Sequence, residues 1–196
     1  MPAPVSQQQT WVGDSGYEMV WVEPGSFMMG SPSSEPDRGD DEVQHRVELT
    51  EGFYVGMFEV TQGLWSSVMG SNPSFFNSCG STCPVEQVSW CDAVIFANEL
   101  SRRDGLTPTY LLPPDFSASM SYDACRSKSG LVSWDRSADG YRLLTESEWE
   151  YSARAGGTHR YAGSDDVNSV AWYSSNNGDS THPVGQKSPN AWGFTT

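Results

Sequence analysis

Cys79 and Cys83 stand four apart in the stretch CGSTCPVEQVSW, residues 79–90. A close cysteine pair can be a redox centre, half of a zinc site or a disulfide. A redox pair is normally Cys-x-x-Cys at a helix start, where the dipole and nearby cations lower a thiolate pKa. Here the spacing is one residue longer, Pro84 to Val88 intervene before the next helix, and no Lys, Arg or His flanks either cysteine. Zinc asks for four Cys or His ligands, usually as two close pairs. No second pair exists, and His45, His159 and His182 are scattered. A local disulfide, or two cysteines bonded elsewhere, is the better reading, and neither is expected to act as a catalytic thiol.

Other chemistry is weaker. The acidic run Glu35, Asp37, Asp40, Asp41 and Glu42 lacks the alternating oxygen ligands of an EF-hand, which favours a solvated loop over a calcium site. Arg38-Gly39-Asp40 spells an adhesion tripeptide, on three letters alone. No Gly-x-Ser-x-Gly, phosphate-binding loop or His-Glu-x-x-His occurs. The aromatic residues at 65, 90, 149, 172, 173 and 192 read as packing anchors rather than a binding cage.

The elements that would position these groups are short. YEMVWV (17–22) and SFMMG (26–30) read as strands either side of Pro24-Gly25, and HRVELT (45–50) and FYVGMFEV (53–60) as a hairpin about Glu51-Gly52. A helix is predicted over 62–69, with Thr61 as cap and Gly70 as stop. The clearest helix runs from Trp90 to Arg103, opened by a Ser89/Asp92 box and stopped by Gly105. Residues 106–139 show no period and read as a long loop. A second box, Thr145 to Glu148, opens a helix ended by Gly156-Gly157; Trp149 then shares a face with Ala153 and is expected to be buried beside Ala93–Leu100. The tail 158–196 reads as ordered loops and short strands.

At 196 residues the chain makes one domain, and 19 Gly, 12 Pro and only 18% charged residues point to a loop-rich α+β fold. Residues 1–16 read as a polar lead-in and 17–196 as the domain. A net charge of −14 excludes nucleic acid and anionic membrane surfaces as partners, and no apolar run is long enough to span a bilayer. The N-terminus has neither the basic nor the apolar region of a signal peptide. Four cysteines and the acidity lean towards an extracytoplasmic (periplasmic or secreted) setting rather than a cytoplasmic one.

Five ordered blocks go further: VWVEPGSFMMGS (20–31), HRVELTEGFYVGMFEVTQGLW (45–65), CPVEQVSWCDAVIFANELSRRDGL (83–106), GYRLLTESEWEYSARAGG (140–157) and THPVGQKSPNAWGF (181–194). Together they resemble the formylglycine-generating enzyme family, the sulfatase-modifying-factor domain. The fourth is the most specific, with Leu144 in the proline position of the family's Arg-Leu-Pro-Thr-Glu-x-Glu-Trp-Glu-Tyr signature.

The resemblance implies a variant of the C-type lectin fold. It implies that full-length relatives oxidise a cysteine of a sulfatase to formylglycine with oxygen and copper, the copper held by two reactive cysteines near the C-terminus. Thiolates suit Cu(I) because both are soft. The family positions of those cysteines lie beyond residue 196, so residues 17–196 are expected to lack the C-terminal part and to make no formylglycine alone. Partners follow as a sulfatase or another client polypeptide, with a non-catalytic binding or scaffold domain as the alternative. Cys79, Cys83 and Cys125 match extra cysteines of exported members. A structural calcium ion is implied near Asn168, Asn176 and Asp179, with turn formation as the competing reading of the same residues.

Overall fold

Small antiparallel sheets and capped helices build the frame of the computed structural model, which describes residues 9–118 and 120–195. Strands β1 (Thr10–Val12), β2 (Glu18–Val22) and β5 (Phe53–Gly56) form the first sheet in the order β1-β2-β5. Side chains alternate across a strand with period two, and β2 uses both faces. Val20 and Val22, 1% and 2% exposed, enter a cluster with Phe53, Tyr151 and Phe194. Met19 and its cross-strand partner Trp11 pack instead against a second cluster of Trp65, Phe96, Ala97, Leu100 and Tyr141. The sheet is thus a partition between two cores.

The second sheet pairs β3 (Gly25–Met29) with β4 (His45–Leu49). This corrects the expected 45–60 hairpin: β4 pairs with β3, while β5 pairs with β2, Val22 opposite Phe53. Tertiary packing overrides the local turn signal. The indole of Trp21 lies where a Cβ on Gly52 would stand, so the chain slips past it from one sheet to the other. The expected lead-in is ordered from Gln9 onward. β1 joins the sheet, and Ser15 donates its N–H and its hydroxyl to the Asp104 carboxylate (2.7 and 2.8 Å). Residues 1–8 lie outside the described residues.

The helices follow their caps. In α1 (Gln62–Met69) the Leu64 N–H donates to Thr61 Oγ1 (3.2 Å), and Gly70, at φ +75°, ends the helix in the left-handed region that glycine favours. α2 (Trp90–Arg103) opens on the Ser89/Asp92 box and is the scaffold of the second core. Its buried Asn98 donates to the Tyr110 carbonyl (2.7 Å) and accepts the Tyr110 N–H (2.9 Å), fixing β6 (Tyr110–Leu111). Ser101 Oγ accepts the Tyr141 N–H (2.9 Å).

Residues 106–139 are more regular than expected. β6 pairs with β7 (Ser133–Trp134), and between them α3 (Tyr122–Ser129), capped by Ser121, is bonded to α2 by the Cys91–Cys125 disulfide. Such short pieces carry no periodic signal, and a covalent tie replaces most of the packing a free helix would need. Among the described residues of the tail, the regular element is a single helical turn, α5 (Val167–Val170).

α4 (Glu146–Arg154) opens on its expected box, but Trp149 is 63% exposed, overturning its expected burial. The buried face is instead Glu148, Tyr151, Ser152 and Ala155, a stripe with helical spacing. Glu148 takes the inward place because it bonds twice: its carboxylate accepts the Thr145 N–H (2.8 Å) and a bidentate Arg142 guanidinium (2.7 Å each). Trp149, one residue on, turns outward.

Two outcomes are expected. Burial opposes ionisation of Glu148, but Arg142 and the Thr145 N–H outweigh it and hold the carboxyl below its ordinary 4.5. Its contribution is therefore complete above that value and is lost as pH falls through the lower folded-state value. Glu148→Gln should cost about 2–4 kcal/mol at pH 7 and flatten the acid limb of a stability–pH curve, read by urea titration. Replacing both Cys91 and Cys125 by Ser opens a loop of 34-residue separation. It should cost about 2–4 kcal/mol and expose residues 112–132 to limited proteolysis before the rest of the chain.

Candidate functional site

The outward turn of Trp149 sets its indole between two adjoining cavities of about 570 and 740 Å³. Both are lined by Val55, Gly56, Glu59, Leu144 and Trp149, so they form one cleft along α4. Its walls are the two cores seen from outside. Met57, Ala153 and Phe194 line the first cavity; Met19, Trp65, Phe96 and Tyr141 line the second.

The charge in the cleft is one-sided. Arg142 is taken by Glu148, Arg154 pairs with Glu150 (2.6 Å) and donates to the Gly30 carbonyl (2.8 Å), and Arg160 faces Asp37 (3.5 Å). Glu59 is exposed, and among the described residues no cation pairs with it. The cleft therefore offers an indole, apolar walls and an excess of carboxylate, with Glu59 shared by both cavities and Glu146 on the wall of the second. That combination binds an apolar segment carrying a basic side chain. Glu59 does not stand out in the sequence, and Trp149 reads there as a buried packing anchor, whereas it is exposed. The capping box held the signal for Trp149, because a box glutamate that faces inward sends its neighbour out.

The cysteines lie elsewhere. Cys79–Cys83 and Cys91–Cys125 are disulfides, and no cysteine is free. Cys125 thus takes Cys91, at the start of α2, and neither cysteine of the close pair. The first bridge closes the loop against α1 and the tail: Gln62 N–H donates to the Cys83 carbonyl (2.8 Å) and Val184 N–H to the Thr82 carbonyl (3.0 Å). A two-thiolate copper site needs free cysteines, and this cysteine set, all bonded as disulfide, does not fit it.

Asn168 and Asn176 do meet, but their groups are engaged within the turn. Asn168 Oδ1 accepts the Tyr173 hydroxyl (3.2 Å) and the Asn176 amide (3.4 Å), and Asn176 Oδ1 accepts the Tyr173 N–H (2.8 Å). The Asn168 carbonyl accepts the Lys187 ammonium at 2.6 Å. Asp179 is apart from both; its N–H donates to Asn177 Oδ1 (3.1 Å), and its backbone, at φ +57°, makes the turn. Calcium asks for six to eight oxygens, and here the oxygens face N–H and O–H donors with a fixed cation on one of them. The residues as arranged do not fit it.

The acidic loop folds around Arg38, whose Nε donates to the carbonyls of Ser31 (3.0 Å) and Glu42 (3.3 Å), so the arginine of the adhesion tripeptide is engaged within its own loop. Among the described residues no group of three or more His, Cys, Asp or Glu is placed to hold a metal ion. No helix there is long and apolar enough to cross a membrane.

Known proteins share this frame. Residues 5–196 match the sulfatase-modifying factor enzyme 1-like domain. A chaperone protein named LppX from Paenibacillus barcinonensis is 35% identical over 90% of this chain, which spans 66% of that protein's length. Among solved structures, Treponema denticola variable protein 1 aligns at a TM-score of 0.80 and 30% identity, over 97% of this chain and 73% of its own. CarF aligns at 0.67 and 28% identity over 92% and 76%. PvdO of Pseudomonas aeruginosa shares the fold, at 0.67 and 22% identity over 97% and 71%. Small antiparallel sheets, a loop-rich body and a family match across nearly the whole sequence agree: this chain belongs to the sulfatase-modifying factor enzyme 1-like family, with the formylglycine-generating enzyme fold.

Proposed function

We propose that this chain is a polypeptide-binding domain of its family, one whose described residues seat a client segment without oxidising it. The observation that carries this reading is the cleft along α4, where Trp149 and Glu59 stand over apolar walls. Covering an exposed indole is the kind of contact that dominates binding energy at protein interfaces. Glu59 accepts a Lys or Arg of the client. The Cys-x-Pro-x-Arg motif of sulfatases, which the family brings into consideration, carries one such side chain.

Oxidising a cysteine to an aldehyde at copper would need free thiolates, and all four cysteines here are bonded in pairs. The Paenibacillus relative is named a chaperone, a title that concerns the handling of other polypeptides. It supports binding over chemistry for this chain as well. Because the chain spans 66% of that relative, formylglycine synthesis by a longer form with two free cysteines is the second reading, supported by the family match. Two disulfides support an extracytoplasmic setting, where such bonds form and persist.

The test is a titration of the protein into a fluorescein-labelled peptide carrying Cys-x-Pro-x-Arg, followed by anisotropy. Saturable binding is expected. Trp149→Ser should raise Kd about tenfold or more with an unchanged circular dichroism spectrum, because the indole is exposed. Glu59→Gln should raise Kd less and weaken its dependence on salt. After incubation with copper and oxygen the peptide's mass should be unchanged. Absence of binding, or binding indifferent to both substitutions, overturns the cleft. An aldehyde product above a no-protein control overturns the non-oxidising assignment.

A further inference from the structure

The tail carries an arrangement that the cleft does not explain. Lys187 reaches back 19 residues, and its Nζ donates to the carbonyl oxygen of Asn168 in α5. The same Nζ lies 3.8 Å from the ring centroid of Trp172, a cation–π distance. The imidazole of His182 stacks on that indole at 3.9 Å with 21° between planes. His182 Nε2 lies 2.8 Å from the Asn177 carbonyl, and the Ser188 N–H donates to the Ser169 carbonyl (3.0 Å). Three separate turns, 166–172, 176–182 and 185–188, thus converge on one indole and one ammonium.

We infer that the Lys187 ammonium holds the place in this tail that a divalent cation could take, closing the turns 166–188 without metal. A calcium ion gathers loops by drawing carbonyl and carboxamide oxygens onto one positive charge. Lys187 supplies a positive charge to the same kind of oxygen, the Asn168 carbonyl, through a chain covalently part of the neighbouring turn. The electrostatic preference is met twice, by the carbonyl and by the ring face of Trp172. The remaining carboxamide oxygens, Asn168 Oδ1 and Asn176 Oδ1, are turned to the hydroxyl and N–H of Tyr173 and the amide of Asn176. A divalent ion entering here would have to displace Lys187 and break those bonds, while like charge from the ammonium opposed its approach.

Among the described residues one carboxylate oxygen touches the cluster: Asp166 Oδ1 accepts from the Asn168 N–H (3.0 Å) and side-chain amide (3.3 Å), as an N-cap does. One carboxylate balances one ammonium; it would not neutralise a second, divalent charge. The device also differs in its dependence on surroundings. A metal-held turn opens when a chelator removes the ion, whereas an ammonium-held turn is indifferent to chelators.

Thermal unfolding of the full chain in EDTA and in millimolar calcium chloride tests this directly. The wild-type midpoint is expected to be the same in both. Lys187→Met keeps the length of the side chain and removes its charge, and should lower the midpoint by about 2–4 °C in both media. Lys187→Arg should recover part of that loss. Amide hydrogen exchange should rise in residues 166–172 and 185–189 of Lys187→Met while the protection of α2 is kept. This reading separates a loosened tail from general misfolding. A wild-type midpoint raised by calcium, or stoichiometric calcium binding in a calorimetric titration that Asn168→Ala abolishes, overturns the inference. So does a Lys187→Met protein with unchanged midpoint and unchanged exchange.

Discussion

The carboxylate of Glu148 is the point at which local and long-range order meet. It closes the first turn of α4 on the Thr145 N–H, holds Arg142 with both oxygens, and fills an inward position that a hydrophobic residue would otherwise claim. Arg142 in turn lies 4.7 Å from the Trp134 ring centroid, so the same ion pair steadies β7. The pair also sets the rotation of α4: with Glu148 inward, Tyr151 reaches the first core and Trp149 faces water. A charge pair at the edge of a core is costly to desolvate, and it holds only because every lone pair in reach is used. The cleft is a geometric result of that rotation.

Local signals in the sequence were strong where a cap or a box enclosed them. Thr61, Ser89 and Thr145 each place a helix start, because the first N–H groups of a helix have few ways to be satisfied and the side chain three positions back is one. Five ordered blocks carried the family and with it the fold. Pairing between strands was not legible. Which neighbour β5 would choose depends on Val20, Val22 and Phe53 sharing a core, and on Trp21 covering Gly52, contacts across more than 30 residues. The Cys91–Cys125 bond was hidden for the same reason, since a separation of 34 residues says nothing of distance in space. Of the site, the identities of Trp149 and Glu59 were in plain view, but their exposure was not. Amphipathic counting places Trp149 on either side of α4 until one knows that a charged residue, Glu148, is buried.

The two disulfides act on different scales. Cys79–Cys83 stiffens a loop of a few residues and fixes the carbonyls that receive Gln62 and Val184. Cys91–Cys125 joins the first turn of the longest helix to a helix with little packing of its own. The bonds shorten the list of conformations the unfolded chain can visit, and so lighten the work left to two modest cores.

Residues 112–132 hang from α2 at two places: Asn98 grips the backbone of Tyr110 with both ends of its amide, and Cys91 takes Cys125. Among the described residues of 112–132 none belongs to either core cluster. The segment behaves as a graft on a finished trunk. Length and composition there are free to drift under mutation, whereas a change of one methylene at Val20 or Leu100 is felt throughout the packed interior. The fold thereby separates the part that must stay from a part that can vary, and it does so with one amide and one sulfur bridge.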